Sequence, residues 1–190
     1  ANVEVMSVEW LVEPWWPGDR LLGRLADGAL SLTDADGGSV ASPELAAVLV
    51  AGLQANSALV DGTWTTMPLS FDGGEAVVGG SYVASDLLEL DGTSLLDVPF
   101  GERRRLLESV VRPGPGLAVS PAVKVPIEGW LAAWRQHGFT HYVARHANSR
   151  YRPGQRADDC LLVALGPANA APPATWRLTG WRDRIHRIRD

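Results

Sequence analysis

The stretch Tyr82–Glu108, YVASDLLELDGTSLLDVPFGERRRLLE, decides the reading of this chain. Tyr82–Leu90 is mostly apolar with interspersed polar residues, the mark of a strand. Asp91-Gly92 is a turn dipeptide. From Pro99 to Val111 the apolar residues Phe100, Leu106, Leu107 and Val110 recur at helical spacing. On that reading Arg103–Arg105 face solvent.

Outward from this stretch, short strands and turns dominate. Ser7–Val12 reads as a strand entering the loop Glu13–Arg20, EPWWPGDR. Leu21–Leu25 and Ala29–Leu32 read as strands joined at Asp27-Gly28. Ser42 and Pro43 predict a capped helix running to about Gln54. Ala58–Val60 and Ala76–Val78 are short strands. Arg112–Gly116, RPGPG, breaks the chain. Leu117–Val119 and Val123–Val125 are strand pieces, and Ile127–His137 is a helix stopped by Gly138. Phe139–Ala144 and Cys160–Leu165 are strands flanking the polar turn region Asn148–Arg156. This pattern predicts an α+β fold on antiparallel sheet, with one domain over 1–166. A Pro/Ala-rich linker and a basic C-terminal tail follow over 167–190.

Apolar residues make up 46% of the chain, enough for a packed core. No apolar run approaches the length of a membrane span, and no secretory signal opens the sequence, so cytoplasm is the expected compartment. One cysteine, Cys160, excludes an internal disulfide and a cysteine metal cluster, and reads as a buried inert thiol. His141 and His146 near Asp158 and Asp159 match no strong metal motif. Most of the eight tryptophans read as core. The net charge is −5, made of +3 over residues 176–190 and −8 over the rest. An acidic body argues against phosphate-driven nucleic-acid binding, so DNA is expected to bind weakly and the tail to dock on the body or on a protein. Sixteen arginines stand against a single lysine, Lys124.

Two further stretches carry a resemblance. Gly138–Val163 reads GFTHYVARHANSRYRPGQRADDCLLV, similar to the GLEGVVAKR…SPYRPGRRSKDWLKVK stretch of ATP-dependent DNA ligases. EPWWPGDR resembles that family's EPKWDGYR, and Tyr82–Glu108 resembles its YVVFDLLYLDGRSLLDLPLEERRALLE. The resemblance spans about Trp10–Val163. It implies a ligase adenylation domain: two antiparallel sheets with flanking helices and a nucleotide cleft between them. The family would use ATP and magnesium. The chain after Val163 is too short for the OB-fold domain that ligases use to encircle DNA, so that domain is expected to be missing.

The resemblance also assigns a degenerate cleft of Glu13, Trp15, Trp16, Arg20, Thr63, Ser85, Thr140, Arg145 and Leu162. Arg20 matches an arginine that helps hold ribose. Trp15 fills the nucleophilic lysine's slot and Pro17 that of an aspartate two residues on. Thr63 and Thr140 replace two carboxylates, Ser85 an aromatic that packs on adenine, and Ala35 an arginine used on sugar-phosphate. Arg145 replaces a lysine, and Leu162 and Ala164 replace the final phosphate-gripping lysines. An indole has no lone pair free to attack phosphorus, and a hard cation needs carboxylates. Phosphoryl transfer also needs cations on the leaving group. The expected function is a catalytically inactive ligase-like accessory or binding domain with no cofactor, an unknown protein partner and no membrane. The alternative is a nucleotidyltransferase with a nonstandard site or one completed by a partner chain.

Overall fold

The structure, a computed structural model, describes residues 7–68, 79–153, 158–166 and the two-residue strand Trp176–Arg177. In chain order the elements are β1 (Trp10–Pro14), β2 (Asp19–Ala26), β3 (Ala29–Asp34), β4 (Ser39–Val40), α1 (Pro43–Gly52), β5 (Ala58–Thr65), β6 (Ser81–Leu90) and β7 (Thr93–Ser94). They continue with α2 (Phe100–Val110), β8 (Leu117–Val119), α3 (Glu128–Gln136), β9 (His141–His146), β10 (Cys160–Ala164) and β11 (Trp176–Arg177). The strand expected at Ala76–Val78, the whole linker and the tail beyond Arg177 lie outside the described residues.

The strands form two sheets. The smaller has order β1-β9-β10-β11. The larger has order β4-β3-β2-β5-β6-β7, with β8 added beside β6. All pairs named here are antiparallel except β6–β8, which is parallel. The expected hairpins form because Asp27-Gly28 and Asp91-Gly92 hold positive φ at both positions, 50° and 74°, then 46° and 77°. That conformation matches the twist of the flanking strands.

Strand alternation sets both cores. Leu21, Leu25, Val60, Tyr82 and Ala84 pack with α1 and α2. Trp10, Val12, Ala144, Leu161 and Val163 pack with Ile127, Trp134 and Phe139 on the side of α3. Trp10 and Trp134 are core, Trp15, Trp16 and Trp64 are half-buried, and Trp130 is exposed.

Three expectations need correction. Ser42 stands at the N-cap of α1, but its hydroxyl makes no capping hydrogen bond, so the start rests on Pro43, whose fixed φ suits a first helical position. Val123 makes only an isolated bridge to Val12. Arg103 and Arg104 are buried, and only Arg105 of that run is exposed. The physical reason is spacing: Phe100, Arg103, Leu107 and Val110 lie on one helical stripe, and buried carboxylates meet the two guanidinium groups.

Candidate functional site

The inner faces of the two sheets meet across a cleft. In β1, Val12 goes to the core, so Glu13 points the other way. In β9, Ala144 goes to the core, so Val143 and Arg145 share the side of Glu13. On the larger sheet, Leu21 faces α1, so Arg20 faces the cleft beside its cross-strand partner Thr63. Gly18 sets the turn into β2. Its φ is 145°, and a Cβ there would stand 2.0 Å from the Trp64 carbonyl oxygen.

Four arginines and three carboxylates fill this space. Arg20 donates to Asp61 at 2.8 and 2.6 Å and to the Tyr151 hydroxyl at 2.7 Å. Arg103 donates two 2.9 Å bonds to Asp86. Arg145 donates to Asp86 at 3.1 Å, to Glu13 at 2.9 Å and to the Ser85 carbonyl at 3.1 Å, and its guanidinium lies 3.9 Å from the Phe100 ring centre. Arg104 donates to Glu13 at 3.3 Å and to the Ser120 carbonyl. All seven charged side chains are at most 5% exposed. Burial opposes the charge on Arg145, but Glu13 and Asp86 more than offset it, and its pKa is held above the ordinary value. Asp61 and Tyr151 do the same for Arg20. The Tyr151 phenol is pushed up, first by burial and then by Asp61, so it stays neutral.

An apolar patch closes the rest. Val143 and Cys160 pack with Trp15 and Leu162, and Leu162 lies opposite Val143 in register. The Trp15 indole also meets His141 edge-on, with ring centres 5.9 Å apart. Trp16 donates to the Ser120 hydroxyl at 3.0 Å and stands edge-on to Phe139. The remaining cavity is about 30 Å³. A water needs roughly 10–15 Å³ on this measure, and ligand pockets run to roughly 300–1,000 Å³.

Seven of the nine sequence-assigned residues line this cavity: Glu13, Trp15, Trp16, Arg20, Thr63, Ser85 and Arg145. Leu162 backs it through Trp15. Thr140 is exposed, contacts the His141 ring and does not line it. Asp61, Asp86, Tyr151, Arg103 and Arg104 belong to the site as well and stand outside the sequence-assigned set. The helical stripe through Arg103 was the available signal.

The Cys160 thiol is pushed from its ordinary 9.0 to about 12, chiefly by burial. Its neutral form is favoured in the fold. The stability it lends is therefore complete below pH 9 and lost as pH rises toward 12. At pH 8 a thiol reagent should label the native chain roughly a hundredfold or more slowly than the urea-unfolded chain. Equal rates would contradict the burial.

This two-sheet architecture is that of the adenylation domain of ATP-dependent DNA ligases. The chain is homologous to the ligase domain of LigD. It is 31% identical over 159 residues, 78% of its length, to the Multifunctional non-homologous end joining DNA repair protein LigD of Mycobacterium tuberculosis H37Rv. The Mycolicibacterium smegmatis LigD protein is 27% identical over 178 residues, 89% of this chain. The chain spans about a fifth of the length of these curated relatives, 20% and 23% respectively. The crystal structure of the M. tuberculosis LigD ligase domain superposes with a TM-score of 0.64 at 26% identity, covering 82% of this chain and 53% of that one. Mycobacterial DNA ligase D complexed with ATP and MES gives a TM-score of 0.61 at 23% identity, covering 92% and 69%. No family model matches the sequence. Among the described residues, no helix is long and apolar enough to cross a membrane.

Proposed function

We propose that this domain is a catalytically inactive, ligase-like accessory module that binds a protein partner and serves DNA end joining. The link to end joining comes from its relatives, named as end-joining repair proteins. The observation that carries the inactive reading is the cleft. Its cavity is about 30 Å³, and Arg20 and Arg145 are engaged by Asp61, Glu13 and Asp86. The residues present do not fit ATP and magnesium. No lysine lies in the cleft, threonines stand where the resemblance implies carboxylates, and Trp15 packs against Val143 and Cys160. Glu13 and Asp86 serve as counter-ions to arginines, so a hard cation would have to compete with those guanidinium groups for their oxygens. What these residues do is hold the two sheets together. Arg145 of β9 reaches Asp86 of β6, and Arg104 of α2 reaches Glu13 of β1.

Calorimetric titration with ATP, with and without magnesium, tests the nucleotide half of this reading. The expected result is no saturable heat up to millimolar ATP, where a bound ligand would release at least about 4 kcal/mol of binding free energy. Micromolar affinity would overturn the reading, and Arg20 would become the contact to substitute first.

A further inference from the structure

A groove of about 300 Å³ opens beside the cleft. Trp16, Trp134, Phe139, Met67, Pro14 and Pro121 line it, and among the described residues no carboxylate or guanidinium does. Trp134 and Phe139 belong to the core on the α3 side of the smaller sheet. Trp130 continues this surface along α3. It is 48% exposed, and its ring centre is 6.3 Å from that of Trp134. Contiguous apolar surface of this kind is the mark of a contact site. Pro14 and Trp16 also line the small cavity of the cleft, so they form the wall between the two hollows.

The occupant that fits is the segment 178–190 of the same chain. Strand β11 ends at Arg177, paired opposite Leu161, so the segment starts from one edge of the smaller sheet, and β1, at the other edge, carries Pro14. Three strand spacings separate those edges, roughly 15 Å. The thirteen residues from 178 to 190 can span up to roughly 45 Å, so reach is ample. Their sequence, LTGWRDRIHRIRD, sets Leu178, Trp181, Ile185 and Ile188 three, four and three residues apart. That is the spacing of one helical stripe, and the four arginines fall off it. Apolar anchors at such spacing are how a helix seats in a hydrophobic groove. The tether adds an effective concentration on the order of millimolar, against which a free partner must compete. We propose that residues 178–190 dock in this groove through Trp181, Ile185 and Ile188 and back the Trp16 wall of the cleft. The proposal goes beyond the inactive reading and does not depend on it.

The test is a nitroxide spin label on the Arg184→Cys variant of the full chain, read through its indole and backbone N–H signals in NMR. Cys160 is buried, so the label goes to the introduced thiol. Loss of the Trp16, Trp130 and Trp134 indole signals is expected. The amide signals of Asp27 and Gly28, at the far end of β2, should be retained. Combining Trp181→Ser, Ile185→Ser and Ile188→Ser in the labelled chain should restore all three indole signals, and circular dichroism checks that the fold is kept. Unchanged indole signals, equal loss at Asp27 and Gly28, or loss that persists in the triple variant would each overturn the proposal. Loss in an isotope-enriched, unlabelled chain mixed with the spin-labelled one would make a second copy the donor of the segment and overturn it as well.

Discussion

Incubated with labelled ATP and magnesium, the chain is expected to yield no protein–AMP adduct, and the Trp15→Lys variant is expected to yield none either. The first half follows from the missing nucleophile. The second is the stronger statement, because it says that one residue does not restore the reaction. A lysine at position 15 would enter a patch made by Val143, Cys160 and Leu162, beside a cavity of about 30 Å³. No lysine stands ready to grip phosphate. Each missing positioned group typically costs two to four orders of magnitude in rate, so replacing one of several leaves the rate undetectable. Denaturing gels followed by peptide mapping give the answer. A label that survives denaturation in the unmodified chain would sink the inactive reading, and Lys124, exposed and outside the cleft, would be mapped first. A label confined to Trp15→Lys would show that the lost lysine alone accounts for inactivity.

The second large effect is on stability. Asp86→Ala is expected to destabilise the fold by about 3–5 kcal/mol, because it leaves two buried guanidinium groups without their shared counter-ion. Asp86 is fully buried, accepts two bonds from Arg103 and one from Arg145, and caps the backbone N–H of Leu87 at 2.9 Å. At about 2–4 °C per kcal/mol for a domain of this size, the melting temperature should fall by roughly 6–20 °C. The surface pair Arg24–Glu89 is the control. Its side chains are 48% and 28% exposed, and Glu89→Ala should cost less than about 1 kcal/mol. Equal costs at the two sites would show that the network adds nothing beyond a surface ion pair. Asp86→Asn should fall between, because the amide keeps an acceptor and loses the charge.

The two predictions bear on one physical trade. Binding a nucleotide requires cations aimed into a hollow. Here Arg145 points at Glu13 and Asp86, so its charge contributes to the fold. Buried ion pairs of this kind are weak evidence for net stability, since desolvation offsets much of the attraction. Losing one member is costly because the other remains buried.

Much of the fold was legible because it rests on local rules. Two-residue periodicity placed the central strands, Asp-Gly turns gave the hairpins, and Pro43 and Gly138 bounded helices. Helix α2 was placed correctly and its arginines were not. A charged residue is assigned to solvent by default, and only a partner distant in sequence overturns that. Asp86 lies 17 residues before Arg103, and Glu13 lies 91 before Arg104. The pairing of β8 alongside β6 in parallel was hidden for the same reason, since a three-residue strand carries no mark of its neighbour.

At the site, the sequence by itself determined which side chains are present and absent. It gave an indole at position 15, threonines at 63 and 140, a guanidinium at 145 and no lysine among them. Chemical identity is a property of the residue and needs no neighbours. Only the tertiary structure decided what those side chains do with the space. Trp15 packs against Val143, and Arg145 turns to Glu13 and Asp86. Arg103 and Arg104 enter from α2, and Thr140 stays outside. A cavity's volume and a charge's partner depend on segments brought together from opposite ends of the chain, and no local pattern encodes that distance.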